Sequence, residues 1–202
     1  MGRRALAAVL TALLVPLAAC GGDGGSAGGG LRGTELDPPF EVSSTPLTDV
    51  DGQPFSLTAD TDKDLTLVFF GYTHCPDICQ VVMSNLASAM TRLDDSDRDR
   101  VDVVYVTTDP ARDTEEVLDR YLSHIDPKFI GLTGDLDTIV AVAKPLGVGI
   151  TQGDKLPSGG YDVTHGTTIT GVDADDEGTV YWSEDTSSAD FAADIHQLLD
   201  KD

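Results

Sequence analysis

Leu65-Thr66-Leu67-Val68-Phe69-Phe70-Gly71-Tyr72-Thr73-His74-Cys75-Pro76-Asp77-Ile78-Cys79 is the stretch that decides the fold. The apolar run Leu65–Phe70 has the length and character of a buried strand. Gly71 ends it, and a polar helical pattern begins near Asp77. Two thiols therefore fall at a strand-to-helix turn. Pro76 suits the first turn of a helix, where a missing N–H costs nothing. The unpaired N–H groups and the dipole at a helix start stabilise a thiolate. Two neighbouring thiolates suit a soft metal such as Cu(I), or zinc, or reversible disulfide chemistry.

The spacing of the pair narrows its placement. Residues four apart on a regular helix hold their Cβ atoms about 5–6 Å apart, whereas a disulfide needs about 3.8 Å. Cys75 is thus expected in the loop and Cys79 in the helix, an arrangement that can bridge or open around a metal ion.

Working outward, strands alternate with helices. Phe40–Leu57 reads as a β-hairpin around Asp51-Gly52. Ile78–Leu93 reads as a helix with Ile78, Val81, Val82, Leu86 and Leu93 on one face. Val101–Val106 is a second buried strand. Arg112–Ile125 is helical, with Asp113 and Glu116 spaced as a capping box. Phe129–Leu132 is a short strand, and Leu136–Leu146 a helix broken near Pro145. Val148–Thr151, Thr167–Val172 and Thr179–Trp182 are strands, the last two joined by an acidic turn. Ala189–Leu199 is an amphipathic helix. The alternation predicts an α/β sandwich, a central mixed sheet flanked by helices with an N-terminal β-hairpin extension.

The first 19 residues read as a secretion signal, with Arg3 and Arg4 followed by the apolar stretch Ala5–Ala19. That stretch is short for a membrane span. Leu17-Ala18-Ala19-Cys20 resembles a bacterial lipobox, which implies cleavage before Cys20 and lipidation of its thiol. Residues 20–37, rich in glycine, read as a lipid-anchored tether, and residues 38–202 as the folded domain. The expected location is extracytoplasmic, on the outer face of the cell membrane. Cys75 and Cys79 are then the two remaining thiols. A bridge across so short a loop would add little stability, which favours chemistry over a structural role. With Arg3 and Arg4 removed, 11 basic residues face 35 acidic ones, a formal charge of −24. Such a surface repels phosphates and excludes nucleic acid as partner.

The stretch Phe70–Cys79 closely resembles the signature of the Sco/SenC proteins. Val106-Thr107-Thr108-Asp109-Pro110-Ala111-Arg112-Asp113-Thr114 resembles that family's second motif. Tyr121-Leu122, Asp126-Pro127 and Phe129–Gly134 resemble the segment after it, and Val163-Thr164-His165-Gly166 occupies the place of its metal-binding histidine. The resemblance covers about Phe40 to Leu199. It implies a thioredoxin-like fold and one copper ion per domain, Cu(I) or Cu(II), held by Cys75, Cys79 and His165. It further implies a metallochaperone that helps assemble the dinuclear copper centre of cytochrome c oxidase, with the oxidase's copper-centre subunit and an upstream copper donor as partners. The alternative is a thiol–disulfide oxidoreductase that uses Cys75 and Cys79 as a redox pair to reduce the oxidase's copper-ligand cysteines. Whether the protein is an enzyme turns on that choice.

The chain departs from the family pattern at Thr164, where an aspartate is expected to orient the imidazole, and at Gly166. No proline lies between Asp162 and Thr170, unlike ordinary thioredoxin-like oxidoreductases. Tyr72 stands where a peroxiredoxin has threonine. Asp109 follows a buried strand and is expected on the same edge as the cysteines, contacting the site or a partner; Asp77 is a first-turn acid or a docking residue. His74, His124 and His196 are expected away from any metal, and Met83 and Met90 in the core. Asp173, Asp175, Glu177, Gly178 and Glu184 nearly match a calcium loop, but flanking strands mark a solvated hairpin turn.

Overall fold

A computed structural model describes residues 30–157 and 161–200. The apolar leader, Cys20 and the glycine-rich stretch to residue 29 lie outside the described residues. The elements run β1 (Thr34–Glu41), β2 (Leu47–Asp49), β3 (Pro54–Phe55), β4 (Leu65–Gly71), α1 (Cys79–Met90), α2 (Asp95–Arg98), β5 (Val101–Thr107), α3 (Glu115–Ser123), β6 (Ile130–Thr133) and α4 (Leu136–Ala143). A 3-10 turn (Lys144–Leu146) follows, then β7 (Ile150–Lys155), β8 (Tyr161–His165), β9 (Ile169–Asp173), β10 (Glu177–Trp182) and α5 (Ser188–Leu199).

Eight strands form one mixed sheet in the order β1-β10-β9-β4-β5-β6-β2-β3. β4, β5 and β6 are parallel, and β9 runs antiparallel to β4. β4 is buried at every position. Its side chains alternate between two cores, as the period of a strand requires. Leu65, Leu67 and Phe69 pack with Met83 and Leu86 of α1, Leu118 of α3, and Phe191 and Ile195 of α5. Val68 and Phe70 pack with Ile139 and Val142 of α4. With both faces covered, β4 shows no polar alternation, which is why it reads as one apolar run. The parallel strands end at a common edge, the edge where α/β folds place their sites, and the cysteine loop leaves from there.

The folded part begins earlier than residue 38. Asp194, buried in α5, accepts hydrogen bonds from the Arg32 N–H (2.9 Å), the Gly33 N–H (2.8 Å) and Trp182 Nε1–H (2.7 Å). β1 then pairs with β10 and takes in residues 34–37, which their composition assigned to the tether. The Asp51-Gly52 turn forms, with Gly52 at φ 74°, but its strands are short and Phe40 belongs to β1.

Two further expectations shift. Val81 is 49% exposed, not in the core. It lies about 200° around the helix from Met83, at 100° per residue, and Val82, Met83, Leu86 and Met90 form the buried face. α3 starts after Thr114, whose hydroxyl caps the Val117 N–H, so Asp113 is not its cap. Beyond these, Tyr161–His165 forms an additional strand, a hairpin partner for β7 outside the main sheet.

Candidate functional site

Cys79 opens α1 and Cys75 sits in the loop before it; both thiols are free. The loop turns tightly, with the Cys75 N–H donating to the Tyr72 carbonyl at 3.1 Å. Burial pushes the Cys75 thiol up. Hydrogen bonds from the Cys79 S–H and from the Cys79, Asp77 and Ile78 N–H groups outweigh that, so its pKa falls below the ordinary value. Burial drives the Cys79 thiol the other way, well above the ordinary value, and the proton it shares with Cys75 adds to the shift. One sulfur is half-buried and the more readily ionised of the two; the other is buried and holds its proton.

His165 ends β8, pairs with Ile150 of β7, and brings Nε2 to 3.7 Å from Cys79 Sγ. Its Nδ1 lies 2.8 Å from the Gly166 carbonyl. A carbonyl accepts only, so Nδ1 carries the proton and the Nε2 lone pair faces the sulfur. The backbone at Gly166 thus orients the ring, the task assigned by resemblance to an aspartate at position 164. Phe69 and Tyr72 contact the imidazole edge-on, with centroids at 6.4 and 5.8 Å. Burial lowers the His165 pKa and keeps the ring neutral, against smaller upward pulls from the Gly166 carbonyl and Glu184.

The structure links Cys75 to Cys79 and Cys79 to His165. Among the described residues, no three of His, Cys, Asp and Glu stand close enough to close around a metal as they are. Cys79 is the shared member of both pairs.

Asp109 lies at the expected edge but is only 2% exposed and pairs with Arg112, so it presents no docking surface. Asp77 is exposed and gives its N–H to Cys75. His74 bonds Thr73 at 3.0 Å, on the side of Asp113. His124 bonds the Arg120 carbonyl, and His196 bonds Asp97. Met83 and Met90 are core residues. In the acidic hairpin, Asp173 accepts from the Asp175 and Glu177 N–H groups, closing the turn on itself.

Sequence reasoning passed over Asp113 and Arg112 as site residues. Asp113 is fully buried beneath the cysteine loop, and Arg112 lies 5.9 Å over the Tyr72 ring. The signal available was their place right after the Asp109-Pro110 turn, which leaves the same edge as the cysteines.

The SCO1/SenC family model matches residues 33–200. The chain is 39% identical over 120 residues to the mitochondrial protein SCO2 of Saccharomyces cerevisiae, covering 59% of this chain and 40% of that protein. Matches to the first curated relatives span 40–57% of their lengths, about half. Among solved structures, apo Sco1 from Thermus thermophilus superposes with a TM-score of 0.75 at 31% identity, over 84% of this chain and 97% of that one. Copper-bound ScoI of Bradyrhizobium japonicum superposes with a TM-score of 0.69 at 29% identity, over 78% of this chain and 99% of that one.

Proposed function

The chain belongs to the SCO1/SenC family, and from that premise we propose a copper-binding metallochaperone of cytochrome c oxidase assembly that holds one ion through Cys75, Cys79 and His165. The observation that carries the ligand set is the 3.7 Å between Cys79 Sγ and His165 Nε2. A metal that binds sulfur at about 2.3 Å and imidazole at about 2.0–2.1 Å, the zinc values, separates two such donors by roughly 3.5–3.8 Å at trigonal or tetrahedral angles. The free Nε2 lone pair and the half-buried Cys75 fit the same chemistry. Thiolates suit Cu(I), and the imidazole extends the site toward Cu(II). Three ligands reached from one edge leave the ion open to exchange onto a partner's ligands. Copper is the cargo, and the oxidase subunit that receives it is the partner. Cleavage before Cys20 and lipidation there would hold the domain at the outer face of the membrane, on the tether that ends near residue 31.

The asymmetry of the thiols favours a second reading, thiol–disulfide exchange. The Cys75 thiolate attacks a partner disulfide, that S–S bond breaks, and one partner thiolate leaves. Cys79 then passes its proton to the departed thiolate and, as thiolate, displaces the second partner sulfur, which takes a proton from water. This gives a Cys75–Cys79 disulfide and a partner dithiol, with two electrons passed to the partner. His165→Ala separates the two readings. Copper affinity of the full-length variant should fall at least about tenfold, while the rate of dithiol exchange stays at wild type. Unchanged copper affinity would remove His165 from the ligand set.

A further inference from the structure

Two consecutive residues after β5 reach both ligand-bearing segments. The Asp113 carboxylate is fully buried and accepts three hydrogen bonds: from the Thr73 N–H (2.8 Å), the Thr73 hydroxyl (2.6 Å) and the Thr107 hydroxyl (2.7 Å). Its backbone carbonyl accepts from the Thr133 hydroxyl at 3.2 Å, which fixes it to the end of β6. Thr73 is the second residue of the turn that the Cys75 N–H closes onto Tyr72. Arg112 points the other way. Its guanidinium pairs with buried Asp109, lies 5.9 Å over the Tyr72 ring, and donates to the Tyr161 carbonyl at 3.4 Å. Tyr72 contacts His165, and Tyr161 begins the strand that His165 ends.

We propose that Asp113 and Arg112 are positioning residues of the copper site: Asp113 holds the turn that presents Cys75, and Arg112 holds Tyr72 and β8 so that His165 faces Cys79. Neither touches the donor atoms. Charge-assisted hydrogen bonds are the strong ones, and a buried carboxylate with three donors fixes the turn at Thr73. A cation over an aromatic face adds a directional contact, and the planar fork of arginine reaches three partners where a lysine reaches one. The placement of the Cys75 thiol and of the imidazole is thereby set from one segment after β5. This rests on the copper reading above only where copper is the readout.

The test uses full-length protein and three readouts. The first is the equilibrium of the Cys75–Cys79 disulfide against glutathione, the second the rate at which diethyl pyrocarbonate modifies His165, and the third copper affinity. Asp113→Asn and Thr73→Val loosen the turn and should make the disulfide about tenfold easier to reduce, with His165 modification unchanged. Thr73→Ser, which keeps the hydroxyl, restores the wild-type equilibrium. If Asp113→Asn does not fold, the two Thr73 variants carry the test. Arg112→Lys keeps a charge beside Asp109 but loses the fork. It should raise His165 modification about threefold, the weight of one cation–π contact at the weak end of its range, and leave the disulfide equilibrium alone. Copper affinity falls about tenfold in each impaired variant. Wild-type behaviour of Thr73→Val and Arg112→Lys, or a Thr73→Ser as impaired as Thr73→Val, overturns the proposal. The first two readouts need no metal, so a wild-type protein that takes up no copper sinks the copper reading and leaves this one to be decided by them.

Discussion

At Cys75 and Cys79 the same side chain carries opposite chemistry because of where α1 begins. Cys75, in the loop, receives the N–H groups of Asp77, Ile78 and Cys79, the residues leading into α1; Cys79, the first residue of that helix, is buried in the core with Phe69, Tyr105 and Met83. Tyr105 is completely buried, and its hydroxyl finds no partner among the described residues. Burying a phenol without a hydrogen bond costs about 1–3 kcal/mol. Tyr105→Phe should therefore match or exceed wild type in a urea unfolding midpoint; a clear loss of stability would mean that the hydroxyl is satisfied after all. At this scale the sequence was readable for the thiols, since the loop-then-helix placement follows from helix geometry; Pro76, expected in the first turn, instead lies in the loop three residues before α1 begins. It was not readable for Asp113. Its role depends on Thr73, 40 residues away in sequence, and a local capping pattern competed for the same carboxylate.

Among the elements, those buried on both faces were legible and those held by backbone pairing were not. β4, β5, β9 and the inner faces of α1 and α5 announce themselves through apolar periodicity. β1 is polar and largely exposed, and it forms because its backbone pairs with β10 and Asp194 gathers three N–H donors at its start. β8 reads weakly because it is short and pairs with the exposed strand β7. The packing of α2 against α5 carries a pH dependence. His196 Nδ1 meets Asp97 at 2.6 Å and Nε2 lies 3.5 Å from Asp200. The hydrogen bond to Asp97, then the charges of Asp200, Asp97 and Asp94, raise its pKa above the ordinary 6.5. A raised folded pKa stabilises fully below pH 6.5 and loses that contribution as pH rises through the folded value. His196→Gln should thus lower the unfolding midpoint at pH 5.5 and have little effect at pH 9. An equal loss at both would assign His196 a packing role instead.

For the molecule as a whole, the fold brings two distant residues together: Cys79, where α1 begins after β4, and His165, 86 residues later at the end of β8 in the separate β7–β8 hairpin. Family resemblance located both in the sequence, while residue periodicity alone located only the first. The chain carries a formal charge of −22, which favours approach by a basic partner and makes the encounter sensitive to salt. The central claim is that one copper ion sits among Cys75, Cys79 and His165. X-ray absorption spectroscopy at the copper edge, on full-length protein loaded with Cu(II), tests it most directly. The account predicts two sulfur scatterers and one imidazole, with the imidazole signal lost in His165→Ala and a sulfur lost in Cys75→Ala. An imidazole signal that survives in His165→Ala, or a copper shell without sulfur, would contradict it.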